Sequence, residues 1–258
     1  MKLLVLADLH YSLPQFDWVL AAAPAYDALI IAGDLLDIAS MVDPGAQIVV
    51  VRKYLQRMRA LTQVIICSGN HDLDEIGEAG EKFARWVSSA RRLSVLTDGE
   101  TTVLGQTLIT ACPWWDGPDI RAGIATQLAA AAPLRVKEWL WIYHAPPTNS
   151  PTSWSGQRSF GDPALSEWIA QYSPSLVFCG HVHEAPFARG GSWVDRIGET
   201  WVFNAGRQIG PVPTHIALDT EAAEAAWFSF EGAEAINLAE PLSRPSPPLQ
   251  AMPAWMKS

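Results

Sequence analysis

The chain has 258 residues, 49 % of them hydrophobic, which is enough for one large α/β domain with a real core, and no apolar run approaches a membrane span. Its formal charge is −9, from 18 basic and 27 acidic residues, with no basic stripe, so a long polyanion such as duplex nucleic acid is repelled while a small phosphate drawn to bound cations is not. The three cysteines, Cys67, Cys112 and Cys179, are odd in number and far apart, and read as buried thiols of a reducing compartment. Met1-Lys2 leads directly into a strand with no apolar leader run, so a cytoplasmic protein is expected.

In chain order, the run Leu3–Ala7 predicts a central parallel strand, and Asp8-Leu9-His10 follows it. Pro14 opens a helix with Phe16, Val19, Leu20 and Ala23 on one face. Ala28–Ala32 is the second strand, ending in Gly33-Asp34-Leu35-Leu36-Asp37. Pro44 starts a longer helix with a stripe of Ile48, Val51, Leu55 and Met58. Val64–Cys67 is the third strand, and Ser68-Gly69-Asn70-His71-Asp72 follows. Asp74, Glu75, Glu78 and Glu81 read as the solvated, negative start of a helix carrying Phe83, Trp86, Val87 and Ala90. This β-α repeat predicts a parallel sheet with right-handed crossovers.

Short strands are then expected at 94–96, 101–104 and 107–110, with turns at Asp98-Gly99 and Gly105-Gln106. The segment 113–118 is irregular, and an Ala-rich helix covers about 120–132. The run 139–143 is a strand ending at His144, before Pro146-Pro147 and a Ser-rich loop over 148–160. Asp162-Pro163 caps a helix whose face is Leu165, Trp168, Ile169 and Tyr172. Ser175–Cys179 is a strand ending in Gly180-His181-Val182-His183. Antiparallel strands are expected at 192–195, 200–204, 215–219 and 226–230. The body thus ends near residue 240, and 241–258 is a Pro-rich C-terminal tail with little structure of its own.

Five of the six histidines sit at polar corners after apolar strands, where a parallel sheet places its chemistry. Together these corners offer Asp8, His10, Asp34, Asn70, His144, His181 and His183. Mixed carboxylate and imidazole donors suit divalent Mn, Fe, Zn or Ni. Seven donors are too many for one ion that keeps an open position, and suit two ions sharing a carboxylate, with Asp34 the best bridge. Two such ions clamp both oxygens of a phosphoryl displacement, and a water between them is hydroxide near neutral pH. His71, beside Asn70, is the candidate donor of a proton to the leaving oxygen, with Asp37 or Asp72 to orient it.

The motifs Asp8-Leu9-His10, Gly33-Asp34-x-x-Asp37, Gly69-Asn70-His71-Asp72, lone His144 and Gly180-His181-x-His183 resemble, in order, those of the calcineurin-like metallophosphoesterase superfamily, over roughly residues 1–220. The resemblance implies a four-layer αββα sandwich of two mixed β-sheets flanked by helices. It implies that Asp8, His10, Asp34 and His183 hold one metal, that Asp34, Asn70, His144 and His181 hold the other, and that His71 is the general acid with Asp37 orienting it. Asp37 is followed by Ile38-Ala39, where the protein Ser/Thr phosphatase branch has Arg-Gly, so a phosphoprotein substrate is disfavoured and the chain looks more like the small bacterial-type phosphohydrolases and phosphodiesterases. The expected reaction is hydrolysis of a phosphomonoester or phosphodiester bond of a small substrate by a metal-bridging hydroxide.

Two rival readings use the same fold. A non-catalytic scaffold, like the retromer subunit of the superfamily, would have lost ligands that this chain keeps. A repair-type nuclease would need a basic groove, and the net charge leaves room only for short nucleic acid. Arg158 and Arg207 are further candidates to grip a phosphate oxygen, as is Asn70. Trp114 and Trp115 read as a satellite core under a loop or as a stacking platform. His215, Trp139, Trp141, Trp168 and Trp227 read as structural.

Overall fold

The structure is a computed structural model that describes residues 1–256; Lys257 and Ser258, the end of the expected tail, lie outside the described residues. Its elements are β1 (Lys2–Leu6), α1 (Leu13–Ala22), β2 (Ala28–Ala32), α2 (Pro44–Arg59), β3 (Gln63–Cys67), β4 (Glu75–Ile76), β5 (Lys82–Phe83), α3 (Arg85–Ser89), β6 (Thr101–Leu104) and β7 (Thr107–Ala111). There follow α4 (Pro118–Ala131), β8 (Glu138–Ile142), α5 (Pro163–Tyr172), β9 (Leu176–Cys179), β10 (Val194–Ile197), β11 (Thr200–Asn204), β12 (His215–Asp219), β13 (Glu224–Ser229) and β14 (Gly232–Asn237).

Two six-stranded sheets form, in the orders β14-β13-β12-β1-β2-β3 and β10-β11-β9-β8-β7-β6. In the first, β1, β2 and β3 are parallel and β12 joins β1 antiparallel. In the second, β7, β8, β9 and β11 are parallel, with antiparallel β6 and β10 at the edges. The expectation that 200–204 pairs antiparallel is corrected for one neighbour: β11 runs parallel to β9 and antiparallel only to β10.

The central strands are apolar on both faces, and alternate residues serve different layers. Leu3, Val5, Ile30 and Ile65 meet Leu140, Ile142, Phe178 and Phe203 between the sheets. Leu4, Leu6, Leu29, Ile31, Val64 and Ile66 face outward onto Phe16 and Val19 of α1, Val51, Leu55 and Met58 of α2, and Trp86 and Val87 of α3. On the far side Trp139, Trp141, Val177 and Val202 face Ile124 and Leu128 of α4 and Leu165, Trp168 and Ile169 of α5. The result is the four-layer αββα sandwich. Cys67, Cys112 and Cys179 are free and buried in it. No helix among the described residues is long and apolar enough to cross a membrane.

Several local expectations are corrected. Residues 94–96 form no strand; Leu96 makes a single parallel bridge to Ile65, and Ser94 turns the chain at φ 60°. The acidic run 74–81 is not a helix start. It forms the β4–β5 hairpin, closed by Gly80 at φ +81° and by the Gly77 N–H donating to the Glu81 carbonyl at 2.8 Å. Phe83 therefore lies in β5, and the helix behind it is only five residues long. Strand β14, with its mixed small and polar residues, was not expected. The tail runs along its edge: the Ala235 N–H donates to the Pro247 carbonyl at 3.0 Å and the Leu249 N–H to that of Ala233 at 2.8 Å. That contact covers an edge strand that would otherwise be open.

The hairpin also serves a distant helix. The residue ahead of α4 is Gly117, which has no capping side chain, and the Glu81 carboxylate takes its place, accepting from the Asp119 N–H at 2.8 Å and the Ile120 N–H at 2.9 Å. Loss of an N-terminal cap costs about 1 kcal/mol. Glu81→Ala is therefore expected to lower unfolding stability by about 1 kcal/mol in urea, whereas Glu78→Ala on the same hairpin, with no such bond, stays within about 0.5 kcal/mol.

Candidate metal centre

The corners after β1 and β2 are laced together before any metal is considered. The Asp8 N–H donates to the Gly33 carbonyl at 3.1 Å and the His10 N–H to that of Asp34 at 3.0 Å. The fully buried Asp72 carboxylate then ties the second corner to the third, accepting from the N–H groups of Leu35 and Leu36 at 3.0 Å each and of Gly69 at 2.9 Å. Asp72 is thus a backbone staple, and the alternative that it orients His71 is set aside. Asp34 Oδ1 accepts from the His71 N–H at 2.9 Å, and Asp8 accepts from the His181 N–H at 3.1 Å. Each candidate carboxylate therefore holds the backbone of another corner, Asp34 through Oδ1 and Asp8 through both oxygens.

The backbone is bent hard to do this. Asp8 (φ 56°), His10 (φ 43°), Asp34 (φ 54°) and His181 (φ 70°) all adopt left-handed conformations, each costing about 1–3 kcal/mol. Gly69 permits the closest approach: a Cβ there would lie 2.1 Å from Asp34 Oδ1. At Gly180 a Cβ would fall 2.6 Å from Asp8 Oδ2.

Asp8, His10, Asp34 and His183 bring one ligand atom each within 4.8 Å of one another. His183 Nε2 is 3.3 Å from Asp8 Oδ1 and 3.0 Å from His10 Nε2. Asp34 Oδ2 is 3.7 Å from His10 Nε2 on one side and 3.2 Å from His144 Nε2 on the other. Nδ1 of His144 sits 2.6 Å from the Ala32 carbonyl, to which it donates, which turns Nε2 inward. That Nε2 is buried and has no well-aligned hydrogen-bond partner. Beside it, His181 Nδ1 and Asn70 Oδ1 are 2.9 Å apart.

Electrostatics agree with the donor chemistry. Burial depresses the pKa of His10 and of His181 to about 4, so both rings are neutral and free to donate a lone pair. Burial also pulls on His144, but the Asp34 carboxylate outweighs it and pushes the pKa to about 9. Burial raises the Asp8 and Asp34 pKa values; the imidazoles beside them, His183 for Asp8 and His144 for Asp34, outweigh it and hold both below the usual carboxylate range. Two buried anions that draw a proton onto an imidazole mark a place that wants positive charge, and a divalent ion supplies it better. The inward Nε2 of His144, the neutral imidazoles and the adjoining carboxylates fit such ions.

His71 and Asp37 stand at the rim, with side chains 20 % and 25 % exposed. Asp37 Oδ1 is 3.8 Å from His71 Nδ1, beyond a hydrogen bond. The Ile38 N–H instead donates to Nδ1 at 3.3 Å, which leaves the proton of the neutral ring on Nε2. The His71 ring lies edge-on to His10 at 4.4 Å.

The two arginines differ in their surroundings. Arg158 is exposed and stacks over Phe160, 4.3 Å from the ring centroid. Arg207 reaches the His183 carbonyl through its backbone N–H at 3.2 Å. Burial and the Arg207 charge both lower the His183 pKa, but the Asp8 carboxylate outweighs them and raises it. A cavity of ≈ 460 Å³ adjoins the cluster, lined by His181 and His183 with Ser155, Gln157 and Phe160. His215 is structural: buried, it packs on Trp18 and Phe228 at 4.5 and 5.0 Å, and burial depresses its pKa to about 4. Sequence reasoning missed Ser68 and Asp98, which carry no family signal; buried Asp98 accepts from the Ser68 N–H at 2.8 Å and Ser68 Oγ from the Trp114 N–H at 2.8 Å.

No curated protein matches the chain. Among solved structures, TT1561 of Thermus thermophilus superposes with a TM-score of 0.59 at 14 % identity, covering 92 % of this chain and 98 % of that one. Purple acid phosphatase PPD1 from yellow lupin (Lupinus luteus) seeds gives 0.53 at 13 %, covering 93 % of this chain and 52 % of that one. At such identities the likeness is one of fold. The sequence profile of the calcineurin-like phosphoesterases matches residues 1–185, most of the chain. With the motifs, the fold and the donor cluster all in agreement, the chain belongs to the calcineurin-like phosphoesterase family and is a metal-dependent phosphoesterase.

Proposed function

We propose that the centre holds two divalent ions and hydrolyses a phosphomonoester or phosphodiester bond of a small substrate. The observation that carries this reading is the shared position of Asp34, whose Oδ2 faces His10 at 3.7 Å on one side and His144 at 3.2 Å on the other. Asp8, His10, Asp34 and His183 would hold one ion; Asp34, Asn70, His144 and His181 would hold the other. The mixed N and O donors suit Mn, Fe, Zn or Ni. When bound, such ions supply hydroxide near neutral pH and positive charge to the phosphoryl oxygens.

The chain's own residues do the rest. Buried backbone N–H groups hold the carboxylates and keep water from competing for them. Asn70, whose Oδ1 is 2.9 Å from His181 Nδ1, would offer its amide N–H to a phosphoryl oxygen. His71 stands at the open side; as the imidazolium it would give its Nε2 proton to the leaving oxygen and return to the neutral ring whose Nδ1 accepts from the Ile38 N–H. Asp37, with its carboxylate 3.8 Å from Nδ1, would be the orienter of the ring. Arg207, whose charge already bears on His183, would offer a cation to the substrate's remaining charge. An acidic surface of net charge −9 favours small substrates, whose phosphate meets the ions rather than the surface.

Purified chain with Mn²⁺ is expected to cleave p-nitrophenyl phosphate or its bis-ester. Asp34→Asn is expected to lower kcat/KM by about 100-fold or more, since even outer-shell partners of ligands matter 10–100-fold. A folded wild type inert with each of Mn, Fe, Zn and Ni contradicts the reading. His71→Ala is expected to cost about 10²–10⁴-fold with an alkyl ester and much less with a p-nitrophenyl ester, whose leaving group departs without a proton. Equal losses on both would remove His71 from the donor's role. Metal binding should also stabilise the fold: Mn²⁺ at 100 times its Kd adds about 2.7 kcal/mol, raising the thermal midpoint by about 5–10 °C over the chelated protein. A midpoint independent of metal would contradict it.

A further inference from the structure

Trp114 touches three of the five corners, and none of the family motifs includes it. Its backbone N–H is fixed to Ser68 Oγ at 2.8 Å, two residues before Asn70. Its ring lies against His181 at 5.2 Å and edge-on to His144 at 5.6 Å between centroids. Asn70, His181 and His144, with Asp34, are the donors of the second ion in the reading above, on which this inference rests. The ring leans on the imidazoles of that ion, whereas His10 and His183, the imidazoles of the first, pack on each other at 4.9 Å.

The ring is held from behind. Trp115 stacks on Trp114 at 5.8 Å with 6° between planes, and the Arg121 guanidinium covers Trp115 at 3.7 Å from its centroid. Trp115 Nε1 and Arg121 both donate to the buried Asp162 carboxylate at 3.1 Å. The Tyr143 hydroxyl donates to the same carboxylate, and Tyr143 immediately precedes His144. Asp162 also caps α5 through the Ala164 N–H at 3.0 Å. One carboxylate therefore anchors both the residue that precedes His144 and the aromatic stack that leans on its ring.

We infer that Trp114 is a positioning residue for the second ion: backed by Trp115, Arg121 and Asp162, it fixes the ring orientations of His144 and His181. An imidazole ligand needs its ring plane set as well as its place, and a neutral ring at about 4 Å spacing sets it by packing. His181 has particular need of this, because its Nδ1 faces Asn70 and its backbone is in a left-handed conformation at φ 70°.

The test is Mn²⁺ titrated calorimetrically into the metal-stripped full chain, with bound metal counted after gel filtration, for wild type, Trp114→Leu and Trp114→Phe. Wild type is expected to take two ions. Trp114→Leu is expected to keep the first within about threefold and to bind the second 10–100-fold more weakly, as for other residues that orient ligands. Trp114→Phe, which restores a ring, is expected to recover most of that loss. Both ions binding to Trp114→Leu as to wild type would overturn the inference, as would an equal weakening of the two, which is general loosening. If Trp114→Leu does not fold, Arg121→Ala removes the outer cover; a loss of about three- to fivefold for the second ion alone supports the inference, and no change overturns it. A wild type that takes up fewer than two ions overturns the dinuclear reading itself, and this one with it.

Discussion

Asp8 and Asp34 are buried together where the loops of both sheets meet, and everything nearby is arranged to tolerate them. Burying one carboxylate costs several kcal/mol unless it is paired and hydrogen-bonded. Here backbone N–H groups and imidazoles share the task. The N–H of His181 serves Asp8 and that of His71 serves Asp34, so the chain's fifth and third corners are positioned by the charges that the first and second corners bring. Without these anions the corners would have little reason to adopt their shapes. With them, the imidazole lone pairs have one direction in which to point.

Such a cage needs a stiff frame. Left-handed φ values at Asp8, His10, Asp34 and His181 persist only where the surroundings over-determine them. The frame is the parallel strands β1, β2, β3, β8 and β9, nearly all of whose residues are buried between layers. Asp72 extends that stiffness into the loops, since three N–H groups converge on its carboxylate. The contrast with residues 38–42 is sharp: Ile38 and Met41 are exposed apolar side chains, 65 % and 104 % accessible, on the segment next to His71. Rigid ligands and a loosely packed rim follow from one division of labour between sheet ends and the loops beyond them.

The parts of this architecture legible from sequence are those with a strong period or a local motif. Doubly buried strands such as Ala28–Ala32 write continuous apolar runs, and their corners carry Gly, Asp and His in fixed order. The β4–β5 hairpin was hidden because two-residue strands have no period, and acidic residues at 74–81 favour a helix start equally well. Glu81 gave no sign that it caps a helix 38 residues away. β14, Gly232–Asn237, is an edge strand of small and polar residues and lacks the alternation that marks a half-buried one. At the site, the candidate ligands were readable, and Asp162 was readable as the cap of α5 but not as the anchor of Trp115, Arg121 and Tyr143; Asp98 and Ser68 were not readable. Their roles exist only once distant segments are brought together, so no spacing encodes them.

Burial pulls all four proposed ligand histidines toward the neutral form, but Asp34 outweighs it at His144 and Asp8 outweighs it at His183. Burial drives His10 and His181 neutral, with pKa values near 4. That suits a ligand, which must offer a lone pair, and would disarm a residue that has to carry a proton at neutral pH. His71 directly follows Asn70, and both are half-buried. The His71 side chain stays 20 % exposed and has Asp37 at 3.8 Å, while the ring edge still reaches His10 at 4.4 Å. Contact with His10 keeps the ring beside the proposed reacting centre. The third corner thus carries a proposed ligand and the proposed donor side by side, both half-buried, where a departing alkoxide has to collect its proton.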